Sequence, residues 1–98
     1  MARFDVHQGK GEPLLLDCQT DLLDGIHSRL MIPLYRSERI ARKVLRLNPV
    51  VRVADQDMVM LTQSMAAVPI NEIGKRVDSI AHERDAIMDA IDMLLSGY

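Results

Sequence analysis

The sequence predicts a β-rich α+β domain in which several short antiparallel strands precede one C-terminal helix. Up to about residue 80 the chain contains short apolar or alternating runs separated by turn-forming residues. Residues 81–96 instead repeat apolar side chains at helical spacing. The length of 98 residues suits one hydrophobic core, and no change of composition divides the chain. We therefore expect residues 1–98 to form a single domain.

The predicted strands pair largely with their neighbours in sequence. Gly9 and Gly11 bracket a turn between the first two strands, and the turn-like segment ADQD joins a later hairpin. Pro69 places the last apolar run at a sheet edge or a bend, because proline donates no backbone hydrogen bond. The predicted strand segments are 3–7, 14–18, 29–34, 49–55, 58–62 and 64–70.

Residues 36–48 form a basic segment. Ile40, Val44 and Leu47 fall at i, i+4 and i+7, which predicts a short amphipathic helix or helical turn. Between its first and last arginine the segment carries five positive residues and one acidic residue, a local charge of +4. Such a run is either a solvated face or a docking surface for an acidic partner. The five positive residues are Arg36, Arg39, Arg42, Lys43 and Arg46.

The C-terminal helix is predicted to run from residue 81 to 96. Asp78 or Ser79 could supply its N-cap. The apolar side chains share one arc and favour packing on the core, whereas a rigid end would also present a fixed surface to a partner. In that second interpretation Gly97 permits close approach. The residues of the apolar arc are Ile87, Met88, Ile91, Leu94 and Leu95.

Composition excludes several classes of protein. The net charge of −2 and pI of about 5.8 give no bulk attraction for nucleic acid, so we expect no direct sequence-specific binding of DNA or RNA. No apolar run approaches the ~20 residues of a membrane-spanning helix. The single cysteine cannot form an internal disulfide, and the N-terminus lacks a secretory signal. We therefore expect a cytoplasmic protein.

The sequence contains no catalytic, metal or cofactor motif, so we predict a protein that is not an enzyme. Its three histidines lie far apart, without metal-ligand spacing. Asp17, Asp21 and Asp24 do not match a calcium loop, and we expect their carboxylates to cap backbone amides in a turn. Cys18 has no base near it in sequence and is interpreted as a small core residue.

Five blocks cover most of the chain: DCQTDLLD, RLMIPL, NPVVRVAD, MLTQSMAAVPINEIGKRV and HERDAIMDAIDMLLSGY. In order and spacing they resemble the CcdB family of bacterial toxins. The resemblance implies a homodimer whose subunit is an SH3-like barrel of antiparallel strands, with a small β-wing and one C-terminal helix. It also implies a toxin–antitoxin protein, typical of plasmid maintenance, that binds the A subunit of DNA gyrase and traps the cleaved DNA complex. A CcdA-like antitoxin with an acidic, disordered segment would oppose it.

The resemblance further implies which residues contact gyrase. The family's tail of tryptophan, glycine and isoleucine falls on Ser96, Gly97 and Tyr98, so only the glycine is kept. The chain has no tryptophan, and Tyr98 offers an aromatic ring two residues further along. Four other implied contacts replace a serine, an isoleucine, an asparagine and a phenylalanine of the family; they are Thr20, Leu22, Asp92 and Leu95.

Three functions follow from these observations. The first is a gyrase-directed toxin whose antitoxin binds the basic segment. The second is a protein that binds the antitoxin but has lost or changed gyrase poisoning, because Ser96 replaces the family tryptophan. The third is an endoribonuclease like the related MazF and Kid toxins, for which Asp24, His27 and Arg29 are the candidate residues.

Overall fold

The computed structural model describes residues 1–97. It confirms the predicted fold class: a curled antiparallel sheet forms a half-barrel, and one helix follows it at the C-terminus. No helix among these residues is long and apolar enough to cross a bilayer. The elements are β1 (Asp5–Gln8), β2 (Leu14–Asp17), β3 (Ser28–Arg36), β4 (Val50–Val53), β5 (Gln56–Met60), β6 (Ala66–Pro69), β7 (Arg76–Ser79) and α1 (Arg84–Ser96).

The sheet is organised around β3. Its strand order is β4-β5-β3-β2-β1-β7, and β6 also pairs with β3. One edge of β3 pairs with β2, whereas the other pairs with β6 over 28–31 and with β5 over 34–36. Pro33 lies between these two stretches, where its missing N–H costs no ladder bond, and its carbonyl accepts from the Leu61 amide at 3.0 Å. β3 therefore continues past Pro33 and ends at Arg36, two residues beyond the predicted end.

A tight turn joins β4 to β5, as predicted. Ala54 and Asp55 both have positive φ, at 48° and 68°, which is the signature of a type I′ hairpin. The Asp78 carboxylate on β7 accepts the Ala54 amide at 2.9 Å and the Ser79 amide at 2.7 Å. These backbone donors lower the pKa of Asp78. The Asp78 side chain thus links the two ends of the curled sheet.

The hydrophobic core fills the concave side of the sheet and is covered by α1. On α1, Ile87, Ala90 and Ile91 are buried, so the first part of the predicted apolar arc packs as expected. Leu94 is half-buried and Leu95 is exposed, so the end of the arc does not close the core. The residues that the sheet and its flanks contribute to this core cluster are Phe4, Val6, Leu16, Cys18, Ile32, Leu34, Val51, Val53, Met58, Met60 and Ile80.

Three predictions about elements were wrong or incomplete. The basic segment forms no α-helix: a 3-10 turn covers only Ser37–Arg39, and Arg46 has a φ of 70° that no helix permits. Neither Asp78 nor Ser79 caps α1, since a 3-10 turn at Ala81–Glu83 leads into the helix without a side-chain cap. β7 was missed because it is short and charged.

Candidate functional site

The loop after β2 presents one fully exposed leucine. A 3-10 turn at Asp21–Leu23 follows Thr20, whose hydroxyl oxygen accepts the Leu22 amide at 3.4 Å. The Leu23 amide donates to the Thr20 carbonyl at 3.1 Å. These two bonds hold the backbone of the turn, and the Leu22 side chain is 92% exposed. Two residues implied by the resemblance, Thr20 and Leu22, thus form a structured turn.

The buried guanidinium of Arg29 holds this loop from the inside. Arg29 is 1% exposed, and its Nε and Nη2 lie 2.9 and 2.8 Å from the Asp17 carboxylate. Nη2 also donates to the Gln19 carbonyl at 3.3 Å, and Asp21 and Asp24 lie 3.6 and 4.0 Å from the same guanidinium. The three aspartates of the loop therefore converge on one cation.

The prediction that these aspartates cap backbone amides is confirmed for two of them. Asp17 accepts the Gln19 amide at 3.1 Å, and Asp21 accepts the Arg3 amide at 2.9 Å. Asp24 instead contributes its charge beside Arg29. Among residues 1–97, no cluster of three or more histidine, cysteine or acidic side chains has the geometry to hold a metal ion.

The end of α1 carries the second group of residues implied by the resemblance. Asp92, Leu95 and Ser96 are all exposed, Leu95 by 71%. Gly97 has a φ of 78°, and its amide donates to the Met93 carbonyl at 3.0 Å, which terminates the helix with a left-handed cap. The predicted contact at Tyr98 lies outside the described residues.

Arg3 connects the loop to the helix. Its amide donates to Asp21, its Nε donates to the Cys18 carbonyl at 3.3 Å, and its Nη2 lies 3.2 Å from the Met88 sulfur. Asp92 and Leu95 follow Met88 at i+4 and i+7, so they share its side of the helix. Arg3 therefore ties the loop to the middle of α1, and Leu95 lies about 10 Å further along the helix from Met88.

Three of the five predicted antitoxin contacts in the basic segment already have acidic partners. Arg36 lies 3.7 Å from Glu38, and Arg39 lies 3.1 Å from Glu12. Arg46 binds both carboxylate oxygens of an acidic residue on α1 at 2.8 and 3.0 Å, which raises the pKa of the guanidinium. The acidic partner of Arg46 is Asp89. Within residues 1–97, Arg42 and Lys43 have no carboxylate partner.

The loop 44–48 also presents an exposed leucine that the pattern analysis missed. Leu45 is 89% exposed, and Val44 is exposed as well, although helical spacing had assigned Val44 to an apolar face. Asn48 holds the loop: its side-chain oxygen accepts the Val44 amide at 3.1 Å, and its Nδ2 donates to the Met60 carbonyl at 2.9 Å. The Asn48 amide also donates to the Val44 carbonyl at 2.8 Å, so the loop closes as one isolated turn and does not continue as a helix. The Asn48 side chain is buried, and these bonds satisfy its amide group.

The candidates for ribonuclease chemistry are not assembled into a site. Arg29 is buried against Asp17 and cannot reach a phosphate. Asp24 is an exposed ion partner of Arg29, and the exposed His27 ring has no hydrogen bond within residues 1–97. Burial raises the pKa of the Cys18 thiol to about 12, which removes its nucleophilic thiolate form.

These features can be set beside known protein families. The sequence model of the family described as CcdB protein matches residues 3–97. The match covers the loop after β2, the basic segment and α1 up to its cap.

Proposed function

Since the chain belongs to the CcdB family, the toxins of toxin–antitoxin systems, we propose that it inhibits DNA gyrase by binding the A subunit and trapping the cleaved DNA complex. The surface proposed for this contact, called the loop–helix surface below, consists of Thr20, Leu22, Asp92, Leu95, Ser96, Gly97 and Tyr98.

The observation that carries this proposal is the pair of exposed leucines on the loop–helix surface. Leu22 is 92% exposed and Leu95 is 71% exposed, although both lie in backbone that hydrogen bonds hold in place. Apolar side chains presented on ordered backbone lose little conformational entropy on binding, and burying an exposed leucine contributes about 1.5–3 kcal/mol. Such side chains suit a recognition role.

The C-terminal end of α1 supports a gyrase contact that differs from the one made by the family's tryptophan. Ser96 stands at the position of the family tryptophan and is exposed, so an aromatic residue there would have no packing role in the fold. A β-carbon on Gly97 would meet no atom within 4 Å, hence the glycine serves the left-handed backbone. In this chain the leucines of the loop–helix surface would carry more of the apolar contact than in relatives with the tryptophan.

We propose a mechanism by recognition and not by bond chemistry. A protein that binds the DNA-cleaved state of gyrase better than the resealed state shifts the population toward cleavage. The strength of the effect is set by the difference in affinity between the two states. No proton transfer or nucleophile from this chain is needed, and the buried thiol of Cys18 is consistent with that.

The proposed partners also include a second copy of the chain and a CcdA-like antitoxin, in the cytoplasm. For the acidic antitoxin segment, Arg42 and Lys43 are the proposed main charge contacts, because they lack carboxylate neighbours within residues 1–97. The adjacent Leu45 would supply an apolar anchor. The other three cations would bind the antitoxin segment only after releasing their present carboxylate partners; they are Arg36, Arg39 and Arg46.

Calorimetric titration with the purified gyrase A subunit tests the proposal. We expect saturable binding by the wild-type protein and a Kd raised about tenfold or more by Leu95→Ser, an exposed change that leaves the fold intact. A matched control is Val50→Ser, an exposed apolar residue on β4 away from the loop–helix surface. Absence of wild-type binding, or equal effects of the two substitutions, would refute the proposed surface.

One observation favours a second candidate function, a protein that binds the antitoxin without poisoning gyrase. Ser96 removes the family's aromatic anchor, and residues 1–97 contain no tryptophan to replace it. Expression in bacteria separates the two candidates. Harmless expression combined with tight antitoxin binding supports the second, whereas growth arrest with accumulation of gyrase-linked DNA breaks supports the first.

A further inference from the structure

We propose that Arg3 is a positioning residue that fixes the loop carrying Leu22 against α1, so that the two parts of the loop–helix surface are presented as one rigid unit. The inference rests on the proposed function, and it assigns to the N-terminus a role that neither composition nor motif indicates.

Arg3 contacts the loop at two points. The Arg3 amide donates to the Asp21 carboxylate at 2.9 Å, and the Arg3 Nε donates to the Cys18 carbonyl at 3.3 Å. Cys18 and Asp21 flank Thr20, so Arg3 holds both sides of the segment that leads to Leu22. Arg29 holds the same loop from its buried side.

Arg3 also contacts the helix. The Arg3 Nη2 lies 3.2 Å from the Met88 sulfur, which joins residues 85 positions apart in the chain. Met88 is half-buried and lies seven residues before Leu95 on the same side of α1. A guanidinium can bridge the two elements because its three nitrogens carry several donors in a planar fork. The lysine ammonium has donors but no such fork.

The neighbouring Phe4 orients Arg3. Phe4 has a φ of 71°, a left-handed conformation that is costly for a bulky residue. It persists because the Phe4 amide donates to the Asp17 carbonyl at 2.6 Å and its carbonyl accepts from Ile80 at 3.0 Å. The bend directs Arg3 out of the sheet, and its guanidinium stacks 4.8 Å from the Phe4 ring centre. Backbone strain of this kind commonly marks functional positions.

The test compares Arg3→Met, which keeps an apolar chain over Phe4, with Arg3→Lys, which keeps the charge but not the fork. Arg84→Met is the matched control, because exposed Arg84 has no side-chain hydrogen bond or carboxylate partner within residues 1–97. Amide hydrogen exchange by NMR at Leu23 and Asp24 reports the loop, and titration with the gyrase A subunit reports recognition.

Both Arg3 variants are expected to speed exchange at Leu23 and Asp24 about fivefold or more and to weaken binding about threefold or more. The control should change neither. Unchanged exchange overturns the positioning role, and faster exchange with unchanged affinity overturns its link to recognition. Arg3→Lys binding like wild type would identify a direct charge contact instead and also contradict the proposal. If the wild-type protein does not bind gyrase, the proposed function fails, while the exchange result still decides whether Arg3 positions the loop.

Discussion

Arg29 and Asp17 form a buried ion pair, with the Nε and Nη2 of the guanidinium 2.9 and 2.8 Å from one carboxylate oxygen. Both residues lie at the root of the loop that presents Leu22, and neither is accessible to solvent beyond 1%. Removing one partner of such a pair leaves an uncompensated charge in the interior. The pair therefore ties the stability of the fold to the shape of the loop that presents Leu22.

Asp17→Asn is expected to destabilise the protein by about 3 kcal/mol, because Arg29 would stay buried without its hydrogen-bonded carboxylate and would keep only the more distant, exposed Asp21 and Asp24. Urea unfolding followed by circular dichroism measures this loss. The matched control is Asp57→Asn, which removes an exposed partner of Arg52 and should cost less than about 1 kcal/mol. Equal midpoints for the two variants would contradict a structural role for the buried pair.

Leu22→Ser and Leu45→Ser are expected to separate the two proposed partners. Both side chains are almost fully exposed, so each melting temperature should stay within a few degrees of wild type. Leu22→Ser should raise the Kd for the gyrase A subunit about tenfold or more, and Leu45→Ser should do so for an acidic antitoxin peptide. Calorimetric titration measures both, and a loss of the same partner in the two variants would refute the separate surfaces.

Within the basic segment, we expect Arg42→Ala with Lys43→Ala to weaken antitoxin binding more than Arg36→Ala with Arg39→Ala. The second pair of cations already faces Glu38 and Glu12, which offset their attraction for an acidic peptide. The difference should shrink between about 0.1 M and 1 M salt, because exposed charges are screened over about 10 Å and 3 Å respectively. An equal loss for both double variants would show that the present ion pairs do not limit binding.

Asp78 should make stability fall in acid. Its pKa is lowered from the ordinary value of 3.8 by the Ala54 and Ser79 amides, so the folded state favours the carboxylate. The resulting stability is present above the unfolded pKa and is lost as pH falls through the lower folded pKa. Melting temperatures from pH 6 to about pH 2 should therefore decline less steeply for Asp78→Asn than for wild type.

The control for this pH dependence is Asp55→Asn in the same turn. Asparagine tolerates the left-handed φ of 68° found at Asp55, and the Asp55 carboxylate forms no hydrogen bond within residues 1–97. Its acid profile should follow wild type. A wild-type slope in Asp78→Asn would show that the link between β7 and the β4–β5 turn contributes nothing to acid sensitivity.

Sequence periodicity predicted most strands and the terminal helix, because alternating and 3.6-residue patterns report which face is buried. The same reasoning failed for residues 40–48, where Asn48 holds a non-helical loop through its side-chain amide. It also missed β7, whose charged residues contact solvent on one face. Short strands at a sheet edge carry little periodic signal.

The candidate site was predicted in part. Resemblance indicated Thr20, Leu22 and Leu95, but not how the loop and the helix are joined. The contacts that join them link Arg3 to Asp21, 18 positions away, and to Met88, 85 positions away. No local pattern reports pairs at that separation. The sequence likewise did not predict the exposed Leu45, because the helical spacing placed its neighbour Val44, and not Leu45, on the apolar face.

The most direct measurement incubates the protein with gyrase, ATP and supercoiled plasmid, followed by detergent and protease treatment. The wild-type protein is predicted to yield linear DNA in a dose-dependent manner, and a variant combining Leu22→Ser with Leu95→Ser should yield about tenfold less at equal concentration. Plasmid that stays uncleaved at every wild-type dose, or equal cleavage by the double variant, would contradict the conclusion that this chain traps gyrase through its loop–helix surface.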